Sequence, residues 1–217
     1  MSFDRLAPYY RWMEFVLAGK KMQRCRFAFL DDLPPPHNIL LLGEGHGRSL
    51  VGYRRRFAGA QITCVDASAG MLAQARQQLP RHGLSADRVD FIHADILSWV
   101  PPQNHYDLVV TSFFLDCFRP DQLEHIISKL ARSLPSKAIW LNADFQIPAT
   151  GWRRTRSRAI VWLLYRFFRV VTGLPARTLT KPDPFLAKAG FTLCHRNEME
   201  WNLLHADWWQ RPAGAAA

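Results

Sequence analysis

The sequence predicts an α/β domain built on a doubly wound, mostly parallel sheet that ends in an antiparallel hairpin. Three observations carry this reading. Short aliphatic runs alternate with longer amphipathic segments from Ile39 to Ala143. Those runs are apolar throughout rather than at every second residue, the mark of strands covered on both faces. A glycine-rich loop, "GEGHG" at Gly43 to Gly47, follows the first run, where an open parallel sheet receives its ligand.

Ahead of the sheet, residues 1–36 read as a helical cap, because apolar residues recur at three- and four-residue spacings until Pro34 to Pro36 stop them. The first strand, Ile39–Leu42, leads through the glycines to a helix over Arg48–Phe57. A second strand (Ile62–Val65) precedes a helix at Ala69–Leu79, and a third (Val89–His93) precedes a short helix or loop. The fourth strand, Asp107–Thr111, is followed by a helix with Leu123, Ile126, Ile127, Leu130 and Leu134 on one face, and the fifth is Ala138–Ala143. Then the character changes. "GWRRTRSRAIVWLLYRFFRVVTG" is basic, aromatic and helical in pattern, an insertion spanning residues 151–178. A helix in "DPFLAKAGF" ends at Gly190, and segments Phe191–Arg196 and Trp201–Trp208 around a polar turn form the hairpin. The sum is seven strands and one domain over residues 1–217.

With 48% hydrophobic residues the chain can bury a full core without cross-links. Its four cysteines are scattered with no C-x-x-C pair, so neither a disulfide framework nor a metal site is expected. The opening "MSFDRLAPYY" carries charge where a secretory signal needs an apolar stretch. The longest unbroken apolar run, Ala159 to Tyr165, falls far short of the ~20 residues of a spanning helix. A cytoplasmic protein is expected. The net charge of +10 rests largely on arginine, clustered at Arg54–Arg56 and between Arg153 and Arg169. Such a balance suits a polyanion or a membrane surface, although arginine-favouring codon usage produces it too.

The glycine loop departs from the dinucleotide fingerprint G-x-G-x-x-G, since Arg48 stands where the third glycine belongs. An alternating G-E-G-H-G suits a ligand less anionic than a pyrophosphate. Two acidic residues sharpen this. Asp66 closes the second strand, where its carboxylate can accept two ribose hydroxyls; before "ASAGML" it would also serve as a helix N-cap. Asp95 follows the third strand, placed for an adenine amino group with Ile96 beside the ring, or simply as a turn residue. Together these residues describe an adenosine-containing ligand.

The segments "ILLLGEGHG", "ITCVDASAGML", "FIHADIL" and "YDLVVTSFFLDCF" resemble the successive motifs of class I S-adenosylmethionine-dependent methyltransferases, over roughly Asn38 to Trp208. The opening "FDRLAPYYRWME" is similar to the small bacterial ubiquinone/menaquinone group. The resemblance implies a Rossmann-like fold and S-adenosyl-L-methionine as cofactor, with S-adenosyl-L-homocysteine as product. It implies that Gly43, Gly45 and Gly47 meet the methionine and ribose, that Asp66 takes the ribose hydroxyls beside Ala67 and Met71, and that Asp95 and Ile96 take the adenine. Thr111, Ser112 and Phe113 would line the floor, Tyr10 would close over the cofactor, and Tyr9, Phe114 and Trp152 would face the acceptor. Two departures stand out. Leu41 replaces the usual acidic residue before the first glycine, with Glu44 as a substitute carboxylate, and Arg11 stands where the quinone-type enzymes often carry aspartate.

Methyl transfer needs a general base only when the acceptor must lose a proton. Asp116 and Asp144, after the fourth and fifth strands, are the candidates, followed by His46 and His93; His93 also reads as a core histidine. Cys117 reads as packing. Phe113 and Phe114 suit a greasy or flat acceptor better than a nucleobase in a polar clamp. The expected partner is therefore a small-molecule or lipid-like substrate, with the basic insertion acting as lid, membrane contact or packed edge helix. A methyltransferase of RNA or protein, and a cofactor-binding partner protein without catalysis, are the alternatives.

Overall fold

A computed structural model describes residues 19–172, 176 and 178–213 of the chain. The expected Tyr9 and Tyr10 contacts, with Arg11, lie outside these residues.

One seven-stranded sheet runs in the order β3-β2-β1-β4-β5-β7-β6. Its strands are β1 (Asn38–Leu42), β2 (Gln61–Asp66), β3 (Val89–His93), β4 (Leu108–Ser112), β5 (Ile139–Phe145), β6 (Thr192–Met199) and β7 (Leu204–Gln210). The first five are mutually parallel, and β7 pairs antiparallel with both β5 and β6. The helices are α1 (Gly19–Arg26), α2 (Arg48–Arg56), α3 (Ala69–Arg81), α4 (Pro120–Ser133), α5 (Gly151–Thr172) and α6 (Asp183–Lys188).

The chain leaves β1 in one direction to build β2 and β3, then returns to place β4 on the other side. That reversal opens a crevice between the carboxyl ends of β1 and β4, where Leu42 is paired with Thr111. The uniformly apolar strands are explained by the two cores. Leu40, Leu42, Val109 and Trp140 pack with Leu123, Ile126, Ile127 and Leu130 of α4. Their neighbours Ile39, Leu41, Val110 and Leu141 pack on the opposite face with Leu50 and Tyr53 of α2 and Leu72, Ala75 and Leu79 of α3. A third cluster joins Met22 and Cys25 of α1, Val161 and Tyr165 of α5, and Ala143, Leu204 and Ala206.

Three boundaries differ from expectation for identifiable reasons. Asp107 stays outside β4 because its carboxylate accepts the backbone N–H groups of His37 and Asn38, at 2.7 and 2.9 Å. β5 runs two residues further, drawing Asp144 into the ladder opposite His205. The last strand begins at Leu204 rather than Trp201, because Glu200, Trp201 and Asn202 take φ values of 54, 55 and 64° and make a left-handed turn. β6 is the exposed edge, and a bulge between Leu193 and His195 with Arg196 and Glu198 beyond it blunts further strand addition.

Candidate functional site

At the end of β1 the backbone turns through Gly43, Gly45 and Gly47, all with positive φ (63, 61 and 90°). Each glycine has its own reason. A Cβ on Gly47 would lie 2.7 Å from the Ala75 Cα, so this glycine lets the start of α2 close on α3, and it does not line the crevice. A Cβ on Gly43 would lie 2.0 Å from Phe114 Cδ2, so the Phe114 ring covers it. A Cβ on Gly45 would meet nothing, because Gly45 borders open space.

The open space is a cavity of about 310 Å³ at the crevice. Of the residues singled out from the sequence, Gly43, Gly45, Asp66, Ala67, Met71, Asp95, Ile96, Phe113 and Phe114 line it. Asp66 is anchored at both oxygens: Oδ2 accepts the Gly45 N–H at 3.1 Å and Oδ1 the Ser68 N–H at 2.8 Å. The N-cap of α3 is Ser68, whose hydroxyl accepts the Met71 N–H, rather than Asp66 two residues earlier. Asp95 turns back on itself, Oδ1 accepting the Leu97 N–H at 2.9 Å. That turn is held from α4, where Lys129 Nζ donates to the carbonyls of Ile96 and Leu97, and the His125 ring lies 3.2 Å from the Leu97 carbonyl. Partial burial lowers the Lys129 pKa, with Asp95 opposing the shift.

The β4 end of the cavity is aromatic. Phe113 has φ 54°, a left-handed conformation costing about 1 kcal/mol in a residue with a Cβ, fixed by its N–H donating to the Ala143 carbonyl at 2.7 Å. Its ring faces Phe145 and the Arg26 guanidinium, each about 5 Å away at 5.2 Å, while Phe114 meets Phe118 edge-on at 5.0 Å. Val65, Ala94, Leu97, Phe118 and Gln122 also line the cavity and were not singled out from the sequence, and Cys117, read there as packing, lines it too. Ala94 and Leu97 simply flank Asp95 and Ile96. Phe118 lies just before α4 and Gln122 in its first turn, a start marked in the sequence by Pro120.

Other expected residues sit elsewhere. Glu44 is not on the cavity wall; its Oε1 accepts the Leu50 N–H at 2.9 Å at the start of α2, and burial raises its pKa to about 7. Thr111 is wholly buried in the sheet, bonded to the Leu141 carbonyl, to Asn142 and to Trp140 Nε1. Ser112 borders a separate small void with Cys25, Asn142 and Asp207. Adjacent strand residues point to opposite faces, so Thr111 packs toward Trp140 on one side of the sheet and Ser112 toward Cys25 on the other. Trp152 is 62% exposed on α5, beside Trp201 at 6.2 Å, and does not reach the cavity.

Asp116 and Asp144 come together, buried behind Cys117. Asp144 Oδ2 accepts the Asp116 N–H at 3.1 Å and Oδ1 accepts the Phe145 N–H at 2.9 Å. Burial raises the Asp116 pKa to about 6 and pushes Asp144 well above the carboxylate range, with the Asp116 charge adding to the latter shift. Burial and the mutual repulsion of two carboxylates both favour the protonated form within this pair. Tyr165 of α5 donates to the Asp116 carbonyl at 2.8 Å, and the Cys117 thiol lies 3.5 Å from Asp116 Oδ1. Burial holds that thiol protonated, which disfavours a nucleophilic role. His93 is exposed rather than core, 3.1 Å from the Ala67 carbonyl, and His46 is buried in the glycine loop.

The sheet order and a ligand-sized crevice at its switch point define a Rossmann-like, ligand-binding α/β protein. Residues 39–137, somewhat less than half of the chain, match the family model of a methyltransferase domain. Over 97 residues the chain is 36% identical to trans-aconitate 2-methyltransferase of Rhodopseudomonas palustris strain BisB18, a match covering 45% of this chain and 33% of that protein. The chain thus spans about a third of the length of the curated relatives it matches first. Among solved structures, the mitomycin 7-O-methyltransferase MmcR superposes with a TM-score of 0.71 at 20% identity, over 97% of this chain and 61% of its own. The 1,6-didemethyltoxoflavin-N1-methyltransferase of Burkholderia thailandensis gives 0.68 at 16% identity, over 96% and 85%. At these identities the structural likeness establishes the fold.

Proposed function

We propose that this chain is a methyltransferase that uses S-adenosyl-L-methionine to methylate a small apolar or aromatic acceptor. The observation that carries the acceptor class is the cavity wall. Its β4 side is Phe113, Phe114, Cys117 and Phe118, and among the described residues no lysine or arginine lines it. An acidic acceptor such as trans-aconitate, named for the curated relatives, would need cations there.

The residues present fit the cofactor. Gly45 leaves open the space that any Cβ would occupy, and the Asp66 carboxylate lies on the cavity wall beside it. Asp66 would accept the ribose hydroxyls, and Asp95 with Ile96 would bound the adenine. When bound, the cofactor supplies a methyl group already activated on a sulfonium. The protein's task is then to orient the acceptor and exclude water, and positioning alone is worth on the order of 7–11 kcal/mol. The aromatic wall does both for a flat, apolar molecule. For an acceptor that must release a proton, the Asp116–Asp144 pair is the proposed recipient, separated from the cavity by Cys117.

The test is incubation of the purified chain with methyl-labelled cofactor and a cell extract of its source organism, followed by fractionation. Label in lipid or small apolar molecules is expected. Label in nucleic acid or protein would overturn the acceptor class. Binding of S-adenosylhomocysteine with no label in any fraction would make the chain a cofactor-binding partner protein.

A further inference from the structure

We propose that the outer face of α5 docks on an anionic lipid bilayer. This inference concerns where the protein sits and does not depend on the methyl-transfer reading.

The helix has two faces of different character. Ser157, Val161, Leu164 and Tyr165 are buried against the sheet. On the opposite side Trp162 is 63% exposed, Leu163 61% and Val170 85%, with Phe167 beside them. An ordinary surface helix exposes polar residues there. The charge is one-signed: Arg153, Arg154, Arg156, Arg158, Arg166 and Arg169, with no aspartate or glutamate in 22 residues. The patch continues onto the β6–β7 turn. Trp201 lies beside Trp152, with Arg156 at 4.8 Å and Lys21 at 5.8 Å from its ring; Glu200, paired with Lys21, and Glu198, bonded to Asn202, are acidic groups at this margin.

Exposed tryptophans among arginines, with aliphatic residues between them, match the layered chemistry of a bilayer surface: anionic headgroups outside, acyl chains just beneath. Arg166 already stacks over Trp162 at 5.5 Å, as in an amphipathic interfacial element. The other occupants match less well. A polyanion would meet the arginines but leave Leu163 and Val170 uncovered. A second copy would bring a chain of net charge +10 against the same arginines. The chain's own residues 1–18 carry Asp4, Arg5, Arg11 and Glu14, with no net charge to complement the helix. Among the described residues no helix is long and apolar enough to cross a membrane, so contact is at the interface. Docking would bring the substrate wall close to lipid, because Tyr165 on the inner face of α5 holds the segment carrying Asp116 and Cys117.

The test is sedimentation of the full chain with vesicles of phosphatidylcholine alone and of phosphatidylcholine mixed with phosphatidylglycerol. Binding to the mixed vesicles, weakened by salt, and little binding to the neutral ones are expected. The double variant Trp162→Ser, Leu163→Ser should lower the bound fraction at least about fivefold, and so should Arg158→Gln with Arg166→Gln and Arg169→Gln. All these side chains face outward, so unchanged thermal melting would show the variants folded. Absence of wild-type binding, or equal binding of the Trp162 and Leu163 variant, would overturn the proposal. Loss in the arginine variant alone, with retained binding to RNA by the serine variant, would reassign the face to a polyanion and overturn it as well.

Discussion

Gly45 and Asp66 are joined by a hydrogen bond, the Gly45 N–H donating to Asp66 Oδ2 at 3.1 Å. The bond couples the glycine loop to the end of β2, so one carboxylate both shapes the loop and lines the cavity. Asp66→Ala removes both functions. S-adenosylhomocysteine binding measured by calorimetry should weaken at least about tenfold, equivalent to roughly 1.4 kcal/mol. Asp66→Asn, which keeps one acceptor oxygen, should fall between. Affinity equal to wild type in the alanine variant would remove Asp66 from the cofactor site.

The glycines separate packing from binding. Alanine at either Gly45 or Gly47 must adopt positive φ, costing about 1 kcal/mol. Only at Gly47 does the new methyl also meet backbone, 2.7 Å from Ala75 Cα, so overpacking should add about 1–3 kcal/mol. Urea unfolding should therefore show Gly47→Ala clearly less stable than Gly45→Ala. Cofactor binding should fail more severely in Gly45→Ala relative to its stability loss. Equal stability of the two variants would refute the packing role of Gly47.

Much of this architecture was legible because burial on both sheet faces leaves unbroken aliphatic runs, and a glycine loop after the first of them fixes where the crevice opens. The turn at Glu200 to Asn202 was not, since three consecutive left-handed residues there include neither glycine nor proline. The carboxylates at the strand ends were visible as residue types, but their surroundings were not. Asp66 competes with Ser68 for the helix cap, and the hydrogen-bond geometry decides for Ser68. Thr111 precedes the cavity residues Phe113 and Phe114 by two and three positions, but it is still inside the sheet, where its hydroxyl bonds Leu141, Asn142 and Trp140. The chain turns toward the cavity only at the left-handed Phe113. The pairing of Asp116 with Asp144 required the register of β4 against β5, a non-local fact.

Lys129 is a residue that sequence motifs do not mark. It holds the carbonyls of Ile96 and Leu97 and thereby the turn that presents Asp95. Lys129→Met keeps the aliphatic stem and removes the donors. Because the effect is confined to cofactor positioning, the KM for S-adenosylmethionine should rise about three- to tenfold with kcat changed less than about twofold. A matching fall in kcat with unchanged KM would place the role of Lys129 elsewhere.

The buried acids make stability depend on pH in a defined sense. Burial raises Glu44 from 4.5 to about 7 and Asp116 from 3.8 to about 6, and raises Asp144 as well. Each binds its proton more tightly in the folded state than in the unfolded one. Their stabilising contribution is complete below the unfolded values, near pH 4, and is lost as pH rises through the folded values toward 7. Asp207, held low by Arg196 and His205 against the cost of its burial, acts in the opposite sense and loses its contribution only as pH falls below the ordinary carboxylate range. Between pH 5 and pH 8 the raised acids dominate, and urea unfolding should show the chain less stable at the higher value. Glu44→Gln isolates one contributor, because glutamine still accepts the Leu50 N–H and carries no charge to bury. The variant should gain about 1–2 kcal/mol over wild type at pH 8 and little at pH 5, because Glu44 is only partly buried and solvent screens part of its charge. A gain of equal size at both pH values would mean that Glu44 does not titrate in this window, and that the alternating glycine loop tolerates its charge.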